Sequence, residues 1–142
     1  LVKTVTNTLG QIQNRAEEKE IRFDITLPDR LLCQHDPNWL GEAVFNILDN
    51  AVKYSSPGGR VEVAVRHSEM YRKLTVRDYG IGIDPGEEGN IFQRFYRGRR
   101  VTSQAGFGIG LYLAREIVDR HGGFLTARRV EPGLLLELNL PG

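Results

Sequence analysis

Residues 45–56, FNILDNAVKYSS, place two demands at once on any fold that holds them. At about 100° per residue, Leu40, Val44, Ile47, Leu48 and Ala51 gather on one arc of a helix, while Asn46, Asn50 and Lys53 fall within about 60° of one another on a different arc. The first arc has to be buried against a second layer. The second presents two amide oxygens one turn apart, which suit a hard divalent cation, and an ammonium a turn further on, which suits phosphate oxygens. A polar stripe beside an apolar one is also what any amphipathic surface helix shows. Asn is a weak helix former, however, and a merely solvated face is more readily filled by Glu, Lys, Gln or Arg, so paired asparagines hint at a task.

The rest of the chain reads as an alternation of helical and extended periods. Leu1, Val5, Leu9, Ile12 and Ala16 recur at three and four, an amphipathic helix over residues 1–19. Residues 22–27, RFDITL, alternate as a strand that ends at Pro28. Asp36 and Pro37 supply an N-cap and a first helical residue for the helix described above, which stops by Ser56 before the turn of Pro57, Gly58 and Gly59. Residues 61–66 and 73–77 alternate as a hairpin. The glycine-rich, charged stretch 79–110 holds short helical patches near residues 90–96 and is too long to be an idle connection. Residues 111–120 form a helix with Leu111, Ala114, Ile117 and Val118 inward and Gly122 as terminator, followed by strands over 124–128 and 134–140. No internal repeat or low-complexity segment interrupts this order, which predicts an α/β fold, a mixed sheet with helices on one face.

The 142 residues suit one domain with a single core. A net charge of +1 gives no global field for nucleic acid or anionic membrane, and the basic cluster Arg94, Arg97, Arg99 and Arg100 is local. Cys33 is alone, which rules out an intrachain disulfide and fits a reducing, cytosolic setting. No run approaches the about 18 to 20 apolar residues needed to span a bilayer, and the first residues lack the pattern of a signal peptide. The chain opens at Leu1 inside a helical period, so a fragment of a longer protein is expected, with any membrane anchor outside it.

Three further segments carry chemistry. Asp78 leads DYGIGID at a strand end, where Gly80 and Gly82 let backbone approach a flat ligand and the carboxylate could accept the exocyclic amine of adenine; the same residues also read as a strand followed by a turn. Gly106, Gly108 and Gly110 in GFGIGL precede a helix, so free N–H groups and the helix dipole would face an anion. This is neither a Walker A loop nor a GxGxxG following a strand in a βαβ unit. Between them IFQRFYRGRR could anchor a segment through Phe92, Phe95 and Tyr96 while Arg97 reaches a terminal phosphate with its planar fork; an aromatic cluster with solvated arginines fits it too.

In this order the four segments resemble the catalytic and ATP-binding domain of bacterial two-component sensor histidine kinases, a family that shares its fold with gyrase, chaperone and mismatch-repair ATPases. FNILDNAVKYS matches the N box, DYGIGI the first glycine box, IFQRFYR the phenylalanine box and GFGIGL the second glycine box, while His121–Gly123 and the closing LPG are similar to the C-terminal pattern. The resemblance implies a two-layer Bergerat-type sandwich over residues 20–142, with residues 1–19 as the end of the helical dimerisation and phosphoacceptor hairpin or a linker. It implies ATP and Mg²⁺ as ligands: Asn46 and Asn50 on the metal, Lys53 on phosphate, Tyr54 bordering the ribose or lid, Asp78 reading adenine, and Gly80, Gly82 and Ile83 shaping the base pocket. Phe95, Arg97, Gly106, Phe107, Gly108, Ile109, Gly110 and Leu111 would complete the nucleotide contacts, with residues 98–105 as lid and Arg97, with Lys53, stabilising the transferring phosphoryl group. Tyr79, Phe107 and Ile109 are bulkier than the family's usual residues at their places, and EPGLLLEL lacks the common Gly-Thr pair, so no ligand role falls there.

The implied activity is transfer of the ATP γ-phosphoryl group to a histidine, with relay to a response regulator's receiver domain, in a full-length dimer anchored at the bacterial membrane with this portion in the cytoplasm. No histidine here fits the acceptor: Pro37 follows His35-Asp36 at once, and His67 and His121 lack the context. Three rivals are weighed. An ATP hydrolase would carry a glutamate where Asn46 stands, and Glu42 lies a further turn away. A degenerate scaffold would have lost motif residues that are all present, and nucleic-acid binding would rest on the arginine cluster alone.

Overall fold

The computed structural model describes residues 1–29, 31, 33–94, 96 and 110–142. Along these the chain forms α1 (Val2–Glu18), β1 (Arg22–Thr26), α2 (Pro37–Tyr54), β2 (Arg60–His67), β3 (Tyr71–Asp78), a 3-10 turn (Asn90–Phe92), α3 (Gly110–Arg120), β4 (Phe124–Arg129) and β5 (Leu134–Pro141). The expected helical patch over 90–96 is thus a single tight turn among the described residues. The other elements match their expected places to within two residues.

The sheet runs β1-β2-β3-β5-β4. β1 and β2 are parallel, joined by the crossover through α2, and every other pairing is antiparallel, with Val63 opposite Val76 and Leu74 opposite Leu138. Alternation decides the faces. Val61, Val63, Val65, Leu74, Val76, Leu134, Leu136, Leu138 and Leu140 are buried on the side of the helices, while Glu62, Lys73, Thr75 and Arg77 lie on the opposite side. The result is the two-layer α/β sandwich the sequence predicts.

α2 is the spine of the helical layer, packed against both α1 and α3. Its apolar arc is the one read from the sequence: Leu40, Val44, Ile47, Leu48 and Ala51 are all buried, each side chain stabilising the fold by about 1.5–3 kcal/mol for the larger ones. Asp36 caps it, its carboxylate accepting the Asn38 and Trp39 backbone N–H groups, with Pro37 in the first turn. The Asp36 N–H itself donates to His121 Nε2 at 3.0 Å, and the ring's other nitrogen meets the Ile117 carbonyl, so His121 ties the start of α2 to the end of α3. α1 shares the same core through Val5, Ile12 and Ala16. No helix among the described residues is long and apolar enough to cross a membrane.

Candidate nucleotide-binding site

The last turns of α2 carry the candidate polar arc, and two other segments converge on them. Gly80, just beyond β3, is pressed so close to α2 that a Cβ there would stand 1.9 Å from the Tyr54 carbonyl oxygen. The next amide, Ile81 N–H, donates to that same oxygen at 3.3 Å. On the other flank, Gly110 opens α3 against Asn46, with its Cβ position 3.7 Å from the Asn46 amide carbon. The N box, the start of the first glycine box and the last glycine of the second therefore meet around one helix.

Asp78 is 3% exposed. Burial in low dielectric pushes its carboxyl up to about 6, against the opposing pull of the Gly80 and Leu134 backbone N–H groups and the Arg77 charge. Gly80 N–H donates to Asp78 Oδ1 at 3.0 Å, which fixes the carboxylate at the strand end. Gly133 holds the other side. At φ +103 it passes so near that a Cβ would lie 1.9 Å from the Asp78 carbonyl oxygen.

Asn46 and Asn50 are half-buried, and neither side-chain amide hydrogen-bonds another described residue. Two hard oxygen donors one turn apart and free to bond a ligand fit a magnesium ion that keeps most of its shell of water and phosphate oxygens. No group of three or more His, Cys, Asp or Glu placed to hold a metal ion occurs among the described residues. Lys53 Nζ lies 5.6 Å from the Tyr54 ring centroid, and both side chains are half-buried. Ile83 is buried in the core cluster, Leu111 packs against it, and Gly82 takes a positive φ of 66°. Phe95, Arg97, Gly106, Phe107, Gly108 and Ile109, and the expected lid over 98–105, lie outside the described residues.

The bulk of Tyr79 has a place. Its ring is flanked by the Arg60 and Arg77 guanidinium carbons, 4.4 and 4.2 Å from its centroid, and its hydroxyl donates to Glu62, all on the sheet face turned away from the helices. Sequence reasoning missed Glu87, which is 0% exposed, accepts the Asp84 N–H at 2.7 Å and takes the Tyr96 hydroxyl proton in a hydrogen bond. No periodicity in that charged stretch singles it out. An open groove of about 410 Å³ lined by Arg66, Tyr71, Lys73, Phe124 and Arg128 lies on the far face of the sheet and shares no residue with this site.

The two-layer fold is that of a class of nucleotide-binding ATPase domain. The chain belongs to the family of histidine kinase-, DNA gyrase B- and HSP90-like ATPases, whose model matches residues 35–141. Within it the similarity is to sensor histidine kinases. The signal transduction histidine-protein kinase/phosphatase MprB of Mycolicibacterium vanbaalenii is 35% identical over 134 residues, 94% of this chain and 27% of that protein. The structure of a mycobacterial sensor histidine kinase MprB superposes with a TM-score of 0.92 at 33% identity, over 99% of this chain and 95% of that one. The fold also matches histidine kinase ThkA in its complex with the response regulator TrrA, with a TM-score of 0.85 at 18% identity over 99% and 40% of the two chains. This chain spans about a quarter of the length of the curated relative, and its fold and sequence are those of the ATP-binding catalytic domain of such kinases.

Proposed function

We propose that this domain binds Mg-ATP and delivers the γ-phosphoryl group to a histidine on the helical dimerisation hairpin of the same full-length kinase, for relay to the receiver domain of a response regulator. The observation that carries the reading is the convergence on α2, where Asn46 touches the start of α3 and the Tyr54 carbonyl anchors the Asp78 loop. ThkA's complex with a regulator and the name of MprB support the partner and the reaction.

In this reading the Asp78 carboxylate accepts a hydrogen bond from the adenine amine, and Gly80, Gly82 and Ile83 shape the base pocket, Gly80 by seating its loop on the Tyr54 carbonyl. Asn46 and Asn50 offer oxygens to the metal, which when bound draws phosphate charge and steadies the triphosphate. Lys53 and the first N–H groups of α3, at Gly110 and Leu111, meet phosphate oxygens. Arg97 is assigned the transferring group from its sequence position. With a loose transition state, positioning and charge carry the rate. Residues 1–19 would continue the acceptor hairpin, and the intact protein would be a membrane-anchored dimer with this domain in the cytoplasm.

The hydrolase alternative lacks its base. Asn46 occupies the place of the water-activating glutamate, and Glu42 is exposed on the surface. The test is transfer of labelled phosphate from Mg-ATP to a histidine-bearing partner. Saturable binding lost in Asp78→Ala, with transfer slowed more than binding in Arg97→Ala, is expected. Release of free phosphate without a labelled partner would favour hydrolysis, and salt-sensitive DNA binding would favour the nucleic-acid reading.

A further inference from the structure

A helix leaves its last carbonyls without intrahelical donors, and each needs a partner. α2 has no left-handed C-terminal residue to close them locally, because Ser55 is extended at φ −78 and ψ 150. Its carbonyls are instead met from outside the helix. Ser55 serves Ala51 O through Oγ, and its N–H serves Val52 O. Ile81 N–H serves Tyr54 O. One side chain meets the rest: Lys19 Nζ donates to Lys53 O and Ser55 O at 2.7 and 2.7 Å, and shares Val52 O, at 3.0 Å, with the Ser55 N–H.

An ammonium has three donors, and here all three are spent on one helix end, where the macrodipole also favours a cation. Lys19 directly follows α1. α1 is seated on α2 by Val5, Ile12 and Ala16 in the common core and by the Arg15–Asp49 ion pair. The Lys19 carbonyl in turn accepts Gly58 N–H at 2.9 Å, so the α1–β1 and α2–β2 connections are stitched together. Partial burial lowers the Lys19 pKa below its ordinary value, as expected for an ammonium whose water has been exchanged for carbonyls.

We infer that Lys19 is a positioning residue for the nucleotide site: it fixes the end of α2 from which Lys53 and Tyr54 project and on which the Asp78 loop docks, and so couples the seating of α1 to nucleotide affinity. The inference rests on the nucleotide site proposed above. A solvated surface lysine would not reach three carbonyls of one turn. Arginine cannot reproduce the contact, since its planar fork does not point three donors at three converging oxygens.

The experiment compares the native domain with Lys19→Met, which keeps the stem, and Lys19→Arg. Residue-resolved amide exchange and titration with a fluorescent ATP analogue and Mg²⁺ are measured on each. In Lys19→Met the Ser55 and Ile81 amides exchange about ten-fold faster while the β2–β3 ladder is unchanged, and analogue affinity falls about ten-fold, the scale of losing hydrogen bonds to a charged donor. Lys19→Arg falls between. Unchanged Ser55 and Ile81 exchange in Lys19→Met, or equal acceleration across all strands, overturns the inference. If that variant does not fold, native exchange and affinity in Lys19→Arg overturn it. Analogue binding that survives Asp78→Ala counts against the site reading instead, and the exchange at Ser55 and Ile81 still reports on the cap.

Discussion

Gly80 and Tyr54 meet backbone to backbone, with 1.9 Å between the Tyr54 carbonyl oxygen and the point where a Gly80 Cβ would stand. Any side chain at residue 80 must push the first glycine box off the end of α2, breaking the Ile81 N–H to Tyr54 O hydrogen bond and dragging the Gly80 N–H away from Asp78. Gly80→Ala is therefore expected to cost about 1–3 kcal/mol, the range for forced overpacking, and to weaken nucleotide binding further than that loss of stability explains. Urea unfolding and nucleotide titration of the same variant give both numbers. Native affinity in a folded Gly80→Ala domain would contradict the docking role.

Asp78 gives the domain a pH dependence of definite sign. Its pKa is about 6 in the fold against an ordinary 3.8, so between these values the native chain keeps a proton that the unfolded chain has lost. Stability then falls as pH rises through this window and levels above it, by on the order of 3 kcal/mol in all. Asp78→Asn should remove that slope. Binding runs the other way, because the ionised carboxylate is the stronger acceptor for the adenine amine, so affinity for adenosine should weaken as pH falls below about 6. Chemical unfolding and adenosine titration between pH 4 and 8 check the two limbs, and a flat native affinity would remove Asp78 from the base contact.

The α2 pattern was legible because helical period, N-cap and apolar arc all agree, and the valine alternation of β2 made its sheet face equally clear. Legibility fails where a role depends on backbone from distant parts of the chain. Gly133 is a plain turn residue in EPGLLLEL, yet its place against the Asp78 carbonyl exists only once β5 pairs with β3. The same holds for Lys19, whose three acceptors lie more than thirty positions on, and for Tyr79, whose bulk is harmless only because strand alternation turns it toward Arg60 and Arg77.

Glu87 is a buried carboxylate whose hydrogen bonds join two stretches of the long connection after β3. Tyr96→Phe removes one of its donors without changing shape. A destabilisation of about 0.5–1.5 kcal/mol is expected, the net contribution of one hydrogen bond. Thermal or urea unfolding measures it. A Tyr96→Phe domain as stable as the native one would mean the hydroxyl contributes nothing to holding this segment.

Asn46 and Asn50 can be separated from ordinary surface asparagines by making the metal a variable. If their amide oxygens hold Mg²⁺, Asn50→Ala should weaken ATP binding in magnesium by at least the roughly 10-fold that loss of even an outer-shell metal partner costs. In EDTA the native and mutant domains should then bind the nucleotide alike. Asn46 differs in being packed beside Gly110, so Asn46→Ala should also loosen the start of α3 and lose some affinity in both conditions. Calorimetric titration of the two variants with ATP, with and without magnesium, makes the comparison directly. Equal losses for Asn50→Ala in magnesium and in EDTA would assign its side chain to packing and leave Asn46 as the cation's one proposed ligand on α2.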